Sequence, residues 1–349
     1  MRKPGGWGAL LVTAVGLVPI AGSGCAPPAA HPHLTAVVVA TGFQPDVEFA
    51  PYYVAQALGY YRAARLRVTM NYARDPNLLL DVGTGRYTFA VTGGDSAVVA
   101  AAAGARITYV MAQYQRYPIG AIALRRNGVP LTSPRQLKGL TVGISMPGSS
   151  TDFCLDALLR AGGLTPRDVT VVALGFTEVE ALVSRRVQVA MTYIDNEPVQ
   201  AAALGYPTYV LPVARYLQLT STGVVTGRAE LSSHRATVLR FVTASLRGLA
   251  YTLAHPGAAF RICLRHLPTV VGAREIAITR RVLSARLEFQ QPPTAHPLGW
   301  SDPAGWHTTI RFLHQIGAIS SVPTASRLFT NALVDQAGVS GDRPRPEAP

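Results

Sequence analysis

From Leu34 onward, runs of apolar and β-branched residues alternate with Ala-rich stretches in which apolar positions recur every three to four residues. The first kind reads as strand and the second as helix. This pattern predicts strands over 34–42, 66–72, 87–92, 107–113, 140–145, 169–173 and 187–192. Helices are predicted between them over 51–60, 96–103, 150–161, 178–184 and 198–204. From about Glu230 the strands stop, and four helices follow over 232–253, 256–266, 273–289 and 303–316. Strands interleaved with helices of this length imply an α/β fold with parallel sheets made of βαβ units.

One stretch repeats. "RYTFAVTGGDSAVVAAAAG" begins at Arg86 and "RVQVAMTYIDNEPVQAAALG" at Arg186. At that constant offset Ala90, Thr92, Asp95 and Val99 match Ala190, Thr192, Asp195 and Val199. Strand, Thr, short loop, Asp, helix is the same unit twice, so two similar α/β lobes are expected. Open α/β sheets bind ligands at the C-terminal ends of their strands, which places a small-molecule site between the lobes.

Five loops at strand ends carry the candidate chemistry: "QPDVEFAPYY", "TGGDS", "QYQRYP", "SMPGSSTDF" and "TYIDNEP". "TGGDS" and "PGSSTD" put glycines and hydroxyls, Ser149 among them, at helix starts. There they either cap the helix, through Asp95 and Ser150, or offer N–H groups to a ligand oxygen. Asp46, Glu48, Asp95, Asp152, Glu178, Asp195 and Glu197 would repel a small anion and suit ligand N–H or hydroxyl donors. With Tyr52, Tyr53, Tyr114, Tyr117, Phe176 and Tyr193 nearby in the loops, the favoured guest is a flat, polar heteroaromatic ring held by stacking and edge hydrogen bonds.

Charge and cysteine change the picture at the margins. Lys+Arg exceed Asp+Glu by 32 − 19 = 13. The arginines are nevertheless scattered and form no basic helix or zinc-finger pattern, which argues against nucleic acid. At the N-terminus Arg2-Lys3, the apolar run to Ala21 and "GSGC" read as a secretory signal over 1–24. Cys25 stands where a lipoprotein is cut and acylated, although Gly22 replaces the usual Leu, and 25–33 would be a tether. This implies an exported protein on the outer face of the cell membrane. Cys154 and Cys263 then remain as free thiols in separate lobes. Catalysis finds no nucleophile elbow, metal-binding His pair or paired-Cys motif. No cofactor is expected, and Trp300 and Trp306 read as packing about the turn into the helix after Asp302.

"GFQPDVEFAPYYVAQALGYY", "TFAVTGGDS", "LKGLTVGI", "GFTEVEAL" and "YIDNEPVQ" together resemble the solute-binding proteins of the nitrate/sulfonate/thiamine-pyrimidine-precursor group, which serve ABC importers. "FAPYYVA", "YQRYP" and "NEPVQ" are most similar to its riboflavin-binding branch. The resemblance implies a type II periplasmic-binding fold, with lobe I from 34–124 and 223–335, lobe II from 125–222, hinge crossings near Leu124 and Gly223, and a disordered tail over 336–349. It implies ligand contacts at Tyr52, Tyr53, Asp95, Tyr114, Tyr117, Tyr193, Asn196 and Glu197, to which the loop chemistry adds Ser149 and Phe176. It further implies a monomer that delivers its ligand to a permease and ATPase. A pyrimidine precursor or a sulfonate is the alternative ligand. The related pyrimidine synthases use a lysine and a Cys-rich motif; here Lys138 is the only lysine after the leader, in a turn, and an enzyme is disfavoured.

Overall fold

The computed structural model describes Gly8, residues 33–292 and residues 296–340. The expected signal (Gly8 apart), the tether to residue 32 with Cys25, and residues 341–349 lie outside the described residues.

The chain enters the first sheet with Thr35–Ala40 (β1), Leu66–Asn71 (β2), Phe89–Gly93 (β3) and Ile107–Ala112 (β4). It then builds a second sheet from Ile119–Leu124 (β5), Thr141–Ile144 (β6), Thr170–Ala173 (β7), Val189–Tyr193 (β8) and Thr208–Pro212 (β9). It returns to the first sheet with Thr222–Gly227 (β10). The orders are β2-β1-β3-β10-β4 and β7-β6-β8-β5-β9. In each, one strand runs against its two neighbours: β10 between β3 and β4, and β5 between β8 and β9.

Both sheets are therefore mixed, which corrects the expectation of wholly parallel ones. The cause is the route of the chain. A parallel neighbour needs a long crossover, usually a helix, whereas β5 and β10 arrive from the other sheet through the short segments 113–118 and 213–221. Each enters at the end where its predecessor left, and so runs back. A second correction follows: β5 belongs to the second sheet, so the first crossing lies at 113–118, ahead of the expected Leu124. The second crossing, 213–221, ends just before Gly223.

The internal repeat becomes a fold-level equivalence. β3 and β8 start and end 100 positions apart and hold the same place in their sheets. Each leads into a short helix, Gly94–Ala102 or Glu197–Ala203, and a fully buried aspartate stands at each junction: Asp95 in the first turn of the one, Asp195 in the loop before the other.

The first sheet is covered by the helix Ala50–Ala57 lying on the long helix Arg235–Ala254. Their approach needs a glycine: a Cβ on Gly248 would run into the Pro51 carbonyl. Phe241 on the long helix stacks on Phe89 of β3, with ring centroids 3.9 Å apart. The expected helix 232–253 is in fact two, Arg228–Ser233 and Arg235–Ala254, broken at His234. The C-terminal segment also differs from expectation, since the helix Ala332–Ala337 buries Leu333 and Val334 and reaches into the expected tail. Cys154 and Cys263 are buried free thiols. Trp306 is fully buried with its indole N–H on Ser301 Oγ at 2.8 Å, and Asp302 caps its helix by accepting from Ala304 N.

Candidate functional site

A cavity of about 410 Å³ opens where the C-terminal ends of β1 and β3 face those of β6 and β8. That volume falls within the roughly 300–1,000 Å³ of small-molecule sites. From the first sheet it takes Thr41, Phe43, Glu48, Phe49, Thr92 and Ser96; from the second, Ser145, Ser149, Phe176, Glu178, Thr192, Tyr193, Asn196 and Glu197. Arg286 closes it from the helix Ala273–Gln290.

Two aromatic rings meet across the mouth. Phe43, after β1, contacts Phe176, after β7, edge to face at 5.3 Å between centroids. The Arg74 guanidinium lies over Phe176 at 4.9 Å, on a ring that is otherwise half exposed. Deeper in, Tyr193 supplies a half-buried ring from the end of β8.

The polar floor is acidic. Glu197 opens its helix next to Asn196, whose Nδ2 donates to Glu197 Oε1 at 2.8 Å and whose Oδ1 accepts from Gln200 at 2.8 Å. Glu197 Oε2 is buried with no hydrogen-bond partner in the protein, as is Thr192 Oγ1. Burial, reinforced by the charge of Glu178, raises the Glu197 carboxyl to about 8. Glu178 is itself raised by burial and accepts from Ser145 Oγ at 2.9 Å.

Arg286 holds the other side. Its Nη1 lies 3.1 Å from Asp46 Oδ1 and 3.2 Å from Glu48 Oε2, with the side chain only 4% exposed. Burial still outweighs that attraction at Glu48, whose carboxyl rises to about 7. Sequence reasoning missed Arg286: it is one of many arginines on predicted helices, and only the packing of its helix against 46–49 brings it in.

The expected contacts divide into two groups. Ser149, Phe176, Tyr193, Asn196 and Glu197 line the cavity together. Tyr52, Tyr53, Asp95, Tyr114 and Tyr117 are buried behind its walls and do not line it. Tyr52 OH donates to Gln113 Oε1 at 2.9 Å, and Gln113 Nε2 in turn holds the Glu48 carbonyl. Tyr53 stacks on His266 at 4.2 Å and receives a hydrogen bond from Tyr72 OH. The aromatics of "EFAPYY" thus form a packed corner whose bonds fix the Glu48 loop. Asp95 does not cap its helix as expected, since it lies within the first turn and Gly93 is the N-cap. It accepts from Tyr117 OH at 2.7 Å and from Ser96 N at 2.7 Å, and burial raises its carboxyl. Tyr117 OH also accepts the Cys154 thiol at 3.3 Å, so this buried chain ties the first turn of Gly94–Ala102, the first crossing and the helix Ser150–Ala161 together. The N-cap of that helix is Ser149 rather than Ser150, and Ser149 Oγ donates instead to the Met146 carbonyl.

Lys138 is exposed, 3.9 Å from Asp168, and is not among the cavity residues. Among the described residues no cluster of three or more His, Cys, Asp or Glu is set to hold a metal, and no helix is long and apolar enough to cross a membrane.

The family model described as NMT1/THI5 like matches residues 46–259. Riboflavin-binding protein RibY of Chloroflexus aurantiacus is 37% identical over 335 residues, which cover 93% of this chain and 95% of that protein. The 4-amino-5-hydroxymethyl-2-methylpyrimidine phosphate synthase of Aspergillus parasiticus is 24% identical over 224 residues, 60% of this chain and 65% of that one. Among solved structures, the periplasmic aliphatic sulphonate binding protein SsuA of Escherichia coli superimposes with a TM-score of 0.67 at 17% identity, over 84% of this chain and 96% of that one. The fold is that of the periplasmic binding proteins.

Proposed function

The chain belongs to the NMT1/THI5-like family, and from that premise we propose that it is the solute-binding component of an ABC importer, exported, acylated at Cys25 and selective for riboflavin. The observation that carries the reading is the make-up of the cleft. Its rings, Phe43, Phe49, Phe176 and Tyr193, suit a broad flat heterocycle. Its floor of Asn196, Glu197, Ser145 and Glu178 suits the alternating carbonyls and N–H of that ring's polar edge. The kinship to RibY supports the same ligand.

Glu197 gives the polar edge its sense. Oε1 is occupied by Asn196, so Oε2 is the atom left to carry a proton, and a neutral carboxyl both donates and accepts. Ligand carbonyls can thus be met by an acid. A sulfonate is a poorer fit, because Asp46, Glu48 and Asp195 surround the buried cation of the cleft, Arg286. Capture would proceed by docking on one lobe and hinge rotation of the other about 113–118 and 213–221. The closed form would then be read by a membrane permease with its ATPase.

Riboflavin fluorescence reports the test. The purified protein should quench it, and Tyr193→Ala should weaken binding by roughly 1–3 kcal/mol, the worth of one stacked ring on a nucleobase platform. If a hydroxymethyl- or formylamino-pyrimidine binds while riboflavin does not, the ligand assignment fails and the precursor-binding reading replaces it.

A further inference from the structure

The first lobe has a second hollow at the pole away from the cleft. There β4 begins and β10 ends, and a groove of about 370 Å³ is lined by Arg228, Arg235 and Arg327 over a floor of Leu231, Phe329 and Leu333. The three arginines come from three helices, Arg228–Ser233, Arg235–Ala254 and Ala325–Leu328. Phe329 is fixed beside the sheet by a parallel bridge to Tyr109, and the following residue, Thr330, donates its N–H to the Tyr109 carbonyl at 3.0 Å.

What sets the groove apart is that three guanidinium groups without a carboxylate partner line one hollow. Elsewhere Arg86 pairs with Asp81 and Arg286 with Asp46 and Glu48. Arg116, Arg125, Arg126, Arg247 and Arg280 lie over aromatic rings. Arg160 and Arg240 donate to neutral carbonyls, of Gln315 and Ala64. In the groove the partners are again neutral oxygens. Arg228 Nε donates to the Ile107 carbonyl at 3.3 Å, and Arg235 Nη1 donates to Gln336 Oε1 at 2.8 Å. Among the described residues none of the three makes an ion pair, and no Asp or Glu lines the groove. Glu230, in the same helix as Arg228, is turned to His234 at 2.9 Å. A neutral acceptor orients a guanidinium and leaves its charge uncancelled. Three such charges around one hollow favour an anion whose oxygens match the planar donor fork.

We propose that this groove is a phosphate-binding site. Arg228, Arg235 and Arg327 take the oxygens of a phosphate ester, and Leu231, Phe329 and Leu333 receive its apolar part. A lipid headgroup and a free phosphate ester share that chemistry, and the experiment separates them. Binding of inorganic phosphate would be followed by thermal shift and calorimetry in chloride buffer. Sedimentation would be measured with phosphatidylcholine vesicles, with and without phosphatidylglycerol. The variants are Arg235→Ala/Arg327→Ala, both exposed, and a control that removes the same charge elsewhere, Arg62→Ala/Arg167→Ala, also exposed.

The expected result is phosphate-dependent stabilisation, or sedimentation that requires phosphatidylglycerol, retained by the control and weakened about tenfold per arginine in the groove variant. Phosphate binding without vesicle binding assigns a free ester; vesicle binding assigns the headgroup. Equal losses in both variants would reduce the effect to net charge and overturn the site. Absence of both responses in the unmodified protein would overturn it as well. Riboflavin quenching should be the same in all three proteins, because the groove lies at the opposite pole from the cleft.

Discussion

At the scale of single residues, the cleft is governed by carboxyl groups that prefer to be neutral. Glu197 titrates near 4.5 when solvated and near 8 in the fold. Between those values the folded protein holds a proton that the unfolded chain lacks, so Glu197 favours folding fully below about 4.5, and its contribution is lost as pH rises through about 8. Glu197→Gln should therefore flatten the fall in melting temperature between pH 5 and pH 9. The same change should keep riboflavin affinity at pH 7 and remove its decline above about pH 8, read by fluorescence titration across pH. An unchanged pH profile in the variant would show that another group sets it. Glu197, Asn196 and Tyr193 were legible in sequence because they sit in a polar strand-end loop that repeats "TGGDS" at a fixed offset. Tyr52 and Tyr53 looked alike on paper but face inward: proline at the first turn of Ala50–Ala57 sets a helix whose inner face must fill the corner below Glu48.

At the scale of elements, the contact of Ala50–Ala57 with Arg235–Ala254 depends on the bare backbone of Gly248. Gly248→Ala should destabilise the protein by about 1–3 kcal/mol through overpacking, more if the helices cannot part. Thermal or urea unfolding would measure it; a neutral result would mean that the helices slide at no cost. The alternation of strand and helix was readable over most of 34–204, because half-buried strands and amphipathic helices carry different periods. β5, β9 and β10 were not. "IGAIAL" and "TGVVTG" are buried along their whole length, so no polar alternation marks them, and their glycines and alanines interrupt the β-branched run. Because those two strands carry the chain between sheets, missing them also displaced the lobe boundary and hid the antiparallel pairings.

At the scale of the whole molecule, Phe43 and Phe176 form an edge-to-face pair across the mouth of the cleft, with Arg74 also laid over Phe176. Such a pair is worth about 0.5–1.5 kcal/mol beyond the area it buries. Phe43→Ala should speed riboflavin release by roughly two- to tenfold, measured by stopped-flow recovery of fluorescence on competition, while Tyr193→Ala should act on affinity instead. No change in the release rate would show that the rings do not limit exit. The pairing of the lobes was foreseen from the repeat, but a contact between residues 43 and 176 has no signature in a linear string, since neither position belongs to the duplicated stretch.

The placement of β10 has a consequence for how the protein comes into being. Synthesis supplies every strand of the second sheet by Pro212, while the first sheet still lacks its inner member. Until Gly227 has emerged, β4 has no partner and β3 presents a bare edge. The N-terminal lobe is thus the later of the two to close, and a chain still on the ribosome stays open at its front until Gly227 is made.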